Sequence, residues 1–334
     1  MKSILLSQNK DAIRRVYDNE QILHLKENAS LVTDKIFNKN DILSGEYDFS
    51  DTEYIFSTWG MPAFSEEEIR TFFPCLKCVF YAAGSVQSFA RNFLNCGIKV
   101  FSAWAANSIP VAEFTVAQIL LANKGYFLLS RTNGIEKYAE NKTKFASYIG
   151  NYDSNIGIIG AGMIGKKVIE LLKPYKLNIL VFDPFLPDEK AKELSVKKVS
   201  LEVLFSSCNV ISNHLANNEK TKGILNYSLF KKMIPNSTFI NTGRGAQVVE
   251  PELLKVLKSR SDITALLDVT WPEPPVEDSA FYSLDNCFIT PHIAGSSGNE
   301  VHRMAKYMVD EFDAYIGGMD TKYSVDLKML ETMA

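Results

Sequence analysis

Four side chains able to hold or move charge stand in the second half of the chain: Arg244, Asp268, Glu273 and His292. Arg244 lies in Asn241-Thr242-Gly243-Arg244-Gly245, whose glycines let the backbone turn sharply and present a guanidinium fork suited to a carboxylate. Glu273 lies in Trp271-Pro272-Glu273-Pro274-Pro275, a loop stiffened by proline around one carboxylate. His292 lies in Thr290-Pro291-His292-Ile293-Ala294-Gly295. Reduction of a carbonyl that sits beside a carboxylate needs such groups, a fixed cation for the anion and a proton donor for the oxygen. Singly, each has a plainer reading: a surface arginine, a solvated glutamate, a structural histidine. Their shared place, at or beyond the C-terminal ends of predicted strands, makes an active-site pattern.

Upstream, Gly160-Ala161-Gly162-Met163-Ile164-Gly165 joins an apolar strand to a helix. In that setting Gly160 makes the tight turn, Gly162 lets backbone approach a pyrophosphate, and Gly165 lets helix and strand pack closely, while the helix start offers free N–H groups. Asp183 ends the next predicted strand, 18 residues beyond Gly165, the spacing of an acid that binds ribose hydroxyls. A carboxylate there repels a 2'-phosphate, and Pro184-Phe185-Leu186-Pro187 offers no cation to hold one, so NAD is expected rather than NADP. His214, just after a predicted strand at 209–212, is read as lining the cofactor cleft. His24 and His302 are read as structural.

The elements that must position these groups alternate in type. Strands are predicted at 3–6, 53–58, 78–83 and 99–102, with helices at 10–17, 65–73 and 87–95, a small parallel α/β unit. Asn107-Ser108-Ile109-Pro110 reads as a cap followed by a first-turn proline, opening a long helix at 111–129. A domain crossing is placed just before it. After a polar, mixed stretch at 134–154, strands are predicted at 155–159, 178–182, 209–212, 238–241, 263–267 and 287–289, the rhythm of a doubly wound parallel sheet. A last amphipathic helix is predicted at 299–315, with no convincing strand after it.

Composition narrows the function. The chain has 334 residues, 46% hydrophobic, with 36 basic against 39 acidic side chains and a net charge of -3. Such apolar content excludes disorder, and the absence of a basic block argues against nucleic acid. The N-terminus lacks a signal-peptide core, and the apolar stretch at 111–129 is broken by Glu113, Gln118, Asn123 and Lys124, so no membrane role is expected. Five scattered cysteines fit a reducing compartment, and a cytoplasmic location is expected. Cys75 and Cys78 form a C-x-x-C, but there is no second pair and Cys78 enters an apolar strand, so burial is expected rather than zinc.

Together these motifs resemble the D-isomer-specific 2-hydroxyacid dehydrogenases. The resemblance is carried by Gly160-Ala-Gly162-Met-Ile-Gly165, Asp183, Asn241-Thr-Gly-Arg244-Gly, Leu267-Asp268-Val269, Glu273-Pro274, Thr290-Pro-His292 and Val111-Ala112-Glu113, over about residues 75 to 315. It implies an NAD-dependent oxidoreductase that interconverts a 2-keto acid and a D-2-hydroxy acid. Arg244 would bind the substrate's carboxylate and carbonyl, His292 would donate the proton, and Glu273 would hydrogen-bond His292 and keep its imidazolium available. Asp268 would hold the nicotinamide carboxamide. Met163 and Ile164 would give N–H groups to the pyrophosphate, and Thr242 and Gly243 would flank the cofactor, with Ala216, Thr221 and Gly295 also assigned to its site. The resemblance implies a Rossmann NAD domain at 105–298, inserted in a smaller flavodoxin-like α/β substrate domain formed by 1–104 and 299–334. It also implies hinge closure and a homodimer built through the cofactor domain.

Departures concern the substrate. Tyr81-Ala82-Ala83-Gly84-Ser85-Val86-Gln87 stands where the family has a glycine-rich turn followed by Asp, leaving the Gly84 and Ser85 N–H groups as the carboxylate's backbone partners. Ala83, Trp59 and Asn107 are further candidates for the pocket. Ala216 replaces the family's proline. The rival reading is a non-catalytic, NAD(H)-sensing scaffold of the same fold.

Overall fold

The computed structural model describes residues 2–331. It forms two compact units, one containing residues to Ser108 and from Ser296 onward, the other Ile109–Gly295.

The first unit opens β1 (Ser3–Leu6), α1 (Lys10–Val16), α2 (Asn19–Asn28), β2 (Leu31–Phe37), α3 (Lys39–Leu43), β3 (Tyr54–Ser57), α4 (Glu66–Phe72), β4 (Cys78–Tyr81), α5 (Ala90–Asn95) and β5 (Lys99–Ser102). Strand order 2-1-3-4-5 is the flavodoxin-like arrangement. Because both faces are covered, β1 and β4 are buried at every position and, apart from Ser3, carry continuous apolar runs rather than alternation. Side-chain caps fix the helix starts: Asp18 with Gln21 and Ser65 with Glu68 make reciprocal capping boxes.

The crossing lies inside a helix. α6 spans Trp104–Ala122 with Pro110 in its interior, so the expectation of a cap at 107–109 and a first-turn proline is corrected. The Ser108 hydroxyl donates back to the Ala105 carbonyl and the Asn107 N–H to the Ala103 carbonyl, so the helix is already formed ahead of the proline and continues through it. By length and composition alone α6 is apolar enough to cross a membrane. Its Ala112, Ile119 and Ala122 pack instead against the buried Ile156, Ile158 and Val168.

The second unit continues with α7 (Tyr126–Leu129), α8 (Ile135–Phe145), β6 (Asn155–Ile159), α9 (Met163–Leu172), β7 (Asn178–Phe182), α10 (Asp188–Glu193), β8 (Lys197–Lys198), α11 (Leu201–Ser207), β9 (Val210–Asn213), α12 (Tyr227–Phe230), β10 (Thr238–Asn241), α13 (Glu250–Ser259), β11 (Thr264–Leu267) and β12 (Cys287–Ile289). Its sheet runs β12-β11-β10-β9-β6-β7-β8, all parallel, and the order reverses between β6 and β9. Loops at the C-terminal ends of strands flanking that switch form the natural crevice of such a sheet.

The chain then returns to the first unit through α14 (Glu300–Ile316), whose Met304, Met308 and Phe312 lie in the same core as Phe56, Phe80 and Phe101. A short β13 (Ser324–Val325) follows and pairs antiparallel with β5, where no strand was expected.

Candidate active site

In the unit formed by Ile109–Gly295, the loops after β6, β7, β9, β10, β11 and β12 hold the charged and polar candidates. His292 Nδ1 lies 2.6 Å from Glu273 Oε1, with side chains 47% and 40% exposed. With Nδ1 committed to the carboxylate, Nε2 is the ring nitrogen left to exchange a proton. His292 has φ of 54°, in the left-handed region, and its N–H bonds the carbonyls of Asp268 and Thr290.

Asp268 is buried and organises that loop. Its Oδ1 accepts from the Thr290 hydroxyl at 2.6 Å and the Ile293 N–H at 2.8 Å, and its Oδ2 accepts from the Ala294 N–H at 3.0 Å. Both oxygens of the residue assigned to the nicotinamide thus already hold the segment carrying His292, immediately before Gly295. Thr290 was not singled out from sequence, although its place two residues before the imidazole was a usable signal.

Arg244 comes close to this pair because Gly245 packs directly against the backbone of Thr270, leaving no room for a Cβ. Its Nη1 donates to the Gly243 carbonyl at 2.7 Å. Burial pulls the guanidinium below its ordinary range and the Glu273 charge opposes that shift, so Arg244 and Glu273 share one electrostatic environment. Glu250, also absent from the sequence reading, accepts from the Trp271 N–H at 2.7 Å and steadies the loop before Glu273. A cavity of about 870 Å³ is lined by Asp268, Glu273 and His292 together with Phe127, Arg131 and Phe288.

The glycine loop fits a dinucleotide. Gly165 packs on the Gly160 carbonyl too closely for any side chain, while nothing stands within 4 Å of where a Gly162 side chain would go. Helix α9 begins at Met163 with Gly162 as an uncapped N-terminal residue, so the N–H groups of Met163 and Ile164 meet no side-chain cap and suit an anion. Asp183 accepts from Ala161 N–H through Oδ2 and Phe185 N–H through Oδ1, each at 2.8 Å, which sets its carboxylate at the end of β7. His214 is buried, its Nε2 2.9 Å from the Ser212 hydroxyl and its Nδ1 without a partner, and burial pushes its pKa down to about 3. Thr221 donates to the Ala216 carbonyl at 2.7 Å and closes the turn after β9. Thr242 is buried, its hydroxyl 3.2 Å from that of Thr115, and Gly243 N–H bonds Asn241 Oδ1 at 3.1 Å.

The remaining candidates lie in the other unit. The Ser102 hydroxyl donates to the carbonyls of Ala83 and Gly84 at 2.9 and 2.6 Å, pinning the turn after β4. Ala83 N–H is turned back onto Tyr81, whereas the Gly84 and Ser85 N–H groups meet no protein acceptor among the described residues. Trp59 is half-buried with the Arg15 guanidinium 5.3 Å from its ring centre. Asn107 accepts from the Ser296 N–H at 2.9 Å. His24 pairs with Asp313 and His302 bonds the Val16 carbonyl, both on helices α2 and α14 away from these turns. Cys75 is exposed and Cys78 buried, with its thiol pushed up to about 11, and no cluster of three potential metal ligands occurs among the described residues.

A family model described as the NAD binding domain of D-isomer specific 2-hydroxyacid dehydrogenases matches residues 119–294, more than half the chain, and the chain belongs to that family. Its cofactor is NAD. Among its relatives are the D-3-phosphoglycerate dehydrogenase of Archaeoglobus fulgidus, 30% identical over 235 residues that cover 70% of this chain and 44% of that one. Another is a formate dehydrogenase of Chaetomium thermophilum, 29% identical over 240 residues, covering 69% and 64%. The chain spans about half the length of the curated relatives it matches first. Among solved structures, Rhodotorula graminis D-mandelate dehydrogenase has a similar fold, with a TM-score of 0.79, 17% identity and 97% of each chain covered.

Proposed function

We propose that this protein is an NAD-dependent dehydrogenase that interconverts a 2-keto acid and a D-2-hydroxy acid. The observation that carries this reading is the 2.6 Å contact of His292 Nδ1 with Glu273, beside a partly desolvated Arg244 and in the same unit as the glycine loop. Bound NADH would supply the hydride for the keto carbon. In reduction, His292 Nε2 gives its proton to the carbonyl oxygen as that oxygen gains charge, and the exposed imidazole is then reprotonated from solvent. Glu273 holds the ring in one orientation through the 2.6 Å contact with Nδ1. Arg244 binds the carboxylate with its fork and draws charge toward the carbonyl oxygen. Asp183 supports NAD over NADP, since a 2'-phosphate would meet its carboxylate.

The test is a panel of short, branched, aromatic and acidic 2-keto acids with NADH, followed by nicotinamide absorbance and by chiral analysis of product. Turnover of at least one to the D-isomer is expected. NADH binding with no turnover on any member would discard the reading and leave an NAD(H)-sensing scaffold.

We also propose a homodimer. Ile135, Tyr138, Phe145, Ile149 and Tyr152 are all exposed within one short stretch, Ile135 at 80%, and scattered apolar residues do not ordinarily gather so densely on a monomer's surface. Sedimentation at micromolar concentration is expected to give twice the chain mass. A monomer there would reject the proposal.

A further inference from the structure

The chemistry described so far leaves out three buried carboxamides. Asn213 ends β9, Asn241 ends β10, and Gln247 lies just beyond Arg244, and each is almost fully buried. Asn213 Nδ2 donates to Asn241 Oδ1 at 3.0 Å and to Gln247 Oε1 at 2.6 Å. Gln247 Oε1 also accepts from the Arg244 N–H at 3.3 Å, and Asn241 Nδ2 donates to the Arg244 carbonyl at 3.2 Å. Both backbone polar groups of the arginine are therefore held by side-chain amides. Gln247 Nε2 reaches the other way, to the carbonyls of Leu215 and Ala216 at 2.8 and 3.0 Å.

Gln247 uses its full hydrogen-bonding capacity, two donors onto its oxygen and two acceptors for its protons. Turning its amide by half a rotation would set NH2 against two donors and oxygen against two carbonyls, so the network admits one arrangement. An apolar residue of similar volume would fill the same space, but it would link neither loop to the other. A carboxylate in this place would have to ionise in a buried setting.

We propose that Gln247, braced by Asn213, is a positioning residue that fixes the Arg244 backbone and the Leu215–Ala216 turn in one frame. Through it the guanidinium meets its anion in a set place relative to the cofactor loop. The role rests on the reading of Arg244 as the substrate anchor.

Three variants test it: Gln247→Met, which keeps volume, Asn213→Leu, and the two combined. Each is measured for thermal midpoint, NADH affinity, and kcat and KM on a keto acid that the wild type reduces. Gln247→Met is expected to raise KM about tenfold or more, with kcat and NADH affinity within about threefold. Asn213→Leu leaves Gln247 three of its four bonds and is expected to raise KM about threefold, which serves if the methionine variant does not fold. In the double variant the Asn213 amide that Gln247→Met leaves unpaired is gone, so part of the lost thermal midpoint returns, while the Leu215 and Ala216 carbonyls stay unpaired and KM stays high. A KM that returns together with the midpoint, or one that never rises, overturns the positioning role and leaves the dehydrogenase reading intact. A wild type silent on the whole panel removes the anchor reading, and this role with it.

Discussion

At one part of the sheet edge in the unit formed by Ile109–Gly295, His292 and Glu273 are nearly half exposed and able to carry charge, whereas Asn213, Asn241 and Gln247, at or just beyond the ends of β9 and β10, are buried and neutral. Both groups are bonded at short range, 2.6 Å in each case. The difference lies in what water does for them. In the proposed reaction a proton donor must be recharged every turnover, and the exposure of His292 gives solvent access for that. A positioning network gains from the opposite condition, since a buried amide has no water to exchange for its partner and so holds one geometry. Asp268 belongs to both worlds: a buried carboxylate, satisfied by two backbone N–H groups and a hydroxyl, that holds the exposed imidazole in place.

The comparison breaks first at the exposed end. His292→Asn is expected to lower kcat by about 10²–10⁴, the range for loss of a general acid, with NADH affinity unchanged. A loss under tenfold in single-turnover rates would mean that another group donates the proton. The buried carboxamides are expected to act more weakly and mainly on KM, as set out for Gln247.

His214 shares the buried, neutral condition. Its folded pKa of about 3 lies below the ordinary 6.5, so an unfolded chain binds a proton that the folded chain refuses throughout that window. Stability from this group is complete above pH 6.5 and declines as pH falls toward 3, with a slope of about 1.4 kcal/mol per pH unit. His214→Asn is expected to flatten the pH dependence of urea unfolding by that amount between pH 6 and 4. An unchanged slope would show that the ring is protonated, and paired, in the folded protein.

Much of the second unit's sheet was legible because its strands are buried on both faces. Asn155–Ile159, Asn178–Phe182, Thr238–Asn241 and Cys287–Ile289 stand out as apolar runs between polar helices. Strands with weaker patterns were passed over. β2 carries Thr33, Asp34 and Lys35 in its middle, β8 is Lys197–Lys198, and β13 is two residues that gain their conformation only by pairing with β5. The start of α6 was missed because Pro110 is more usual in a first turn, a preference that packing of the helix overrides. Among the candidate site residues, Arg244, Glu273 and His292 were visible through glycines and prolines whose backbone needs are local. Gln247 was not. Its meaning depends on Asn213, 34 residues away, and neutral amides make no motif.

The backbone at His292 narrows the choice of acid before chemistry is considered. At φ of 54° most L residues are strained, and Asn, Asp and His are among the few that adopt such angles with relative ease. A glutamic acid or a lysine could offer a proton to a carbonyl, yet neither suits this turn, and an asparagine that suits it has no proton to give. The set of residues the loop tolerates and the set that can serve as an acid near neutrality meet at histidine. In the proposed reaction, moving the proton donor to a different side chain would therefore require a different turn, and with it a different grip by Asp268.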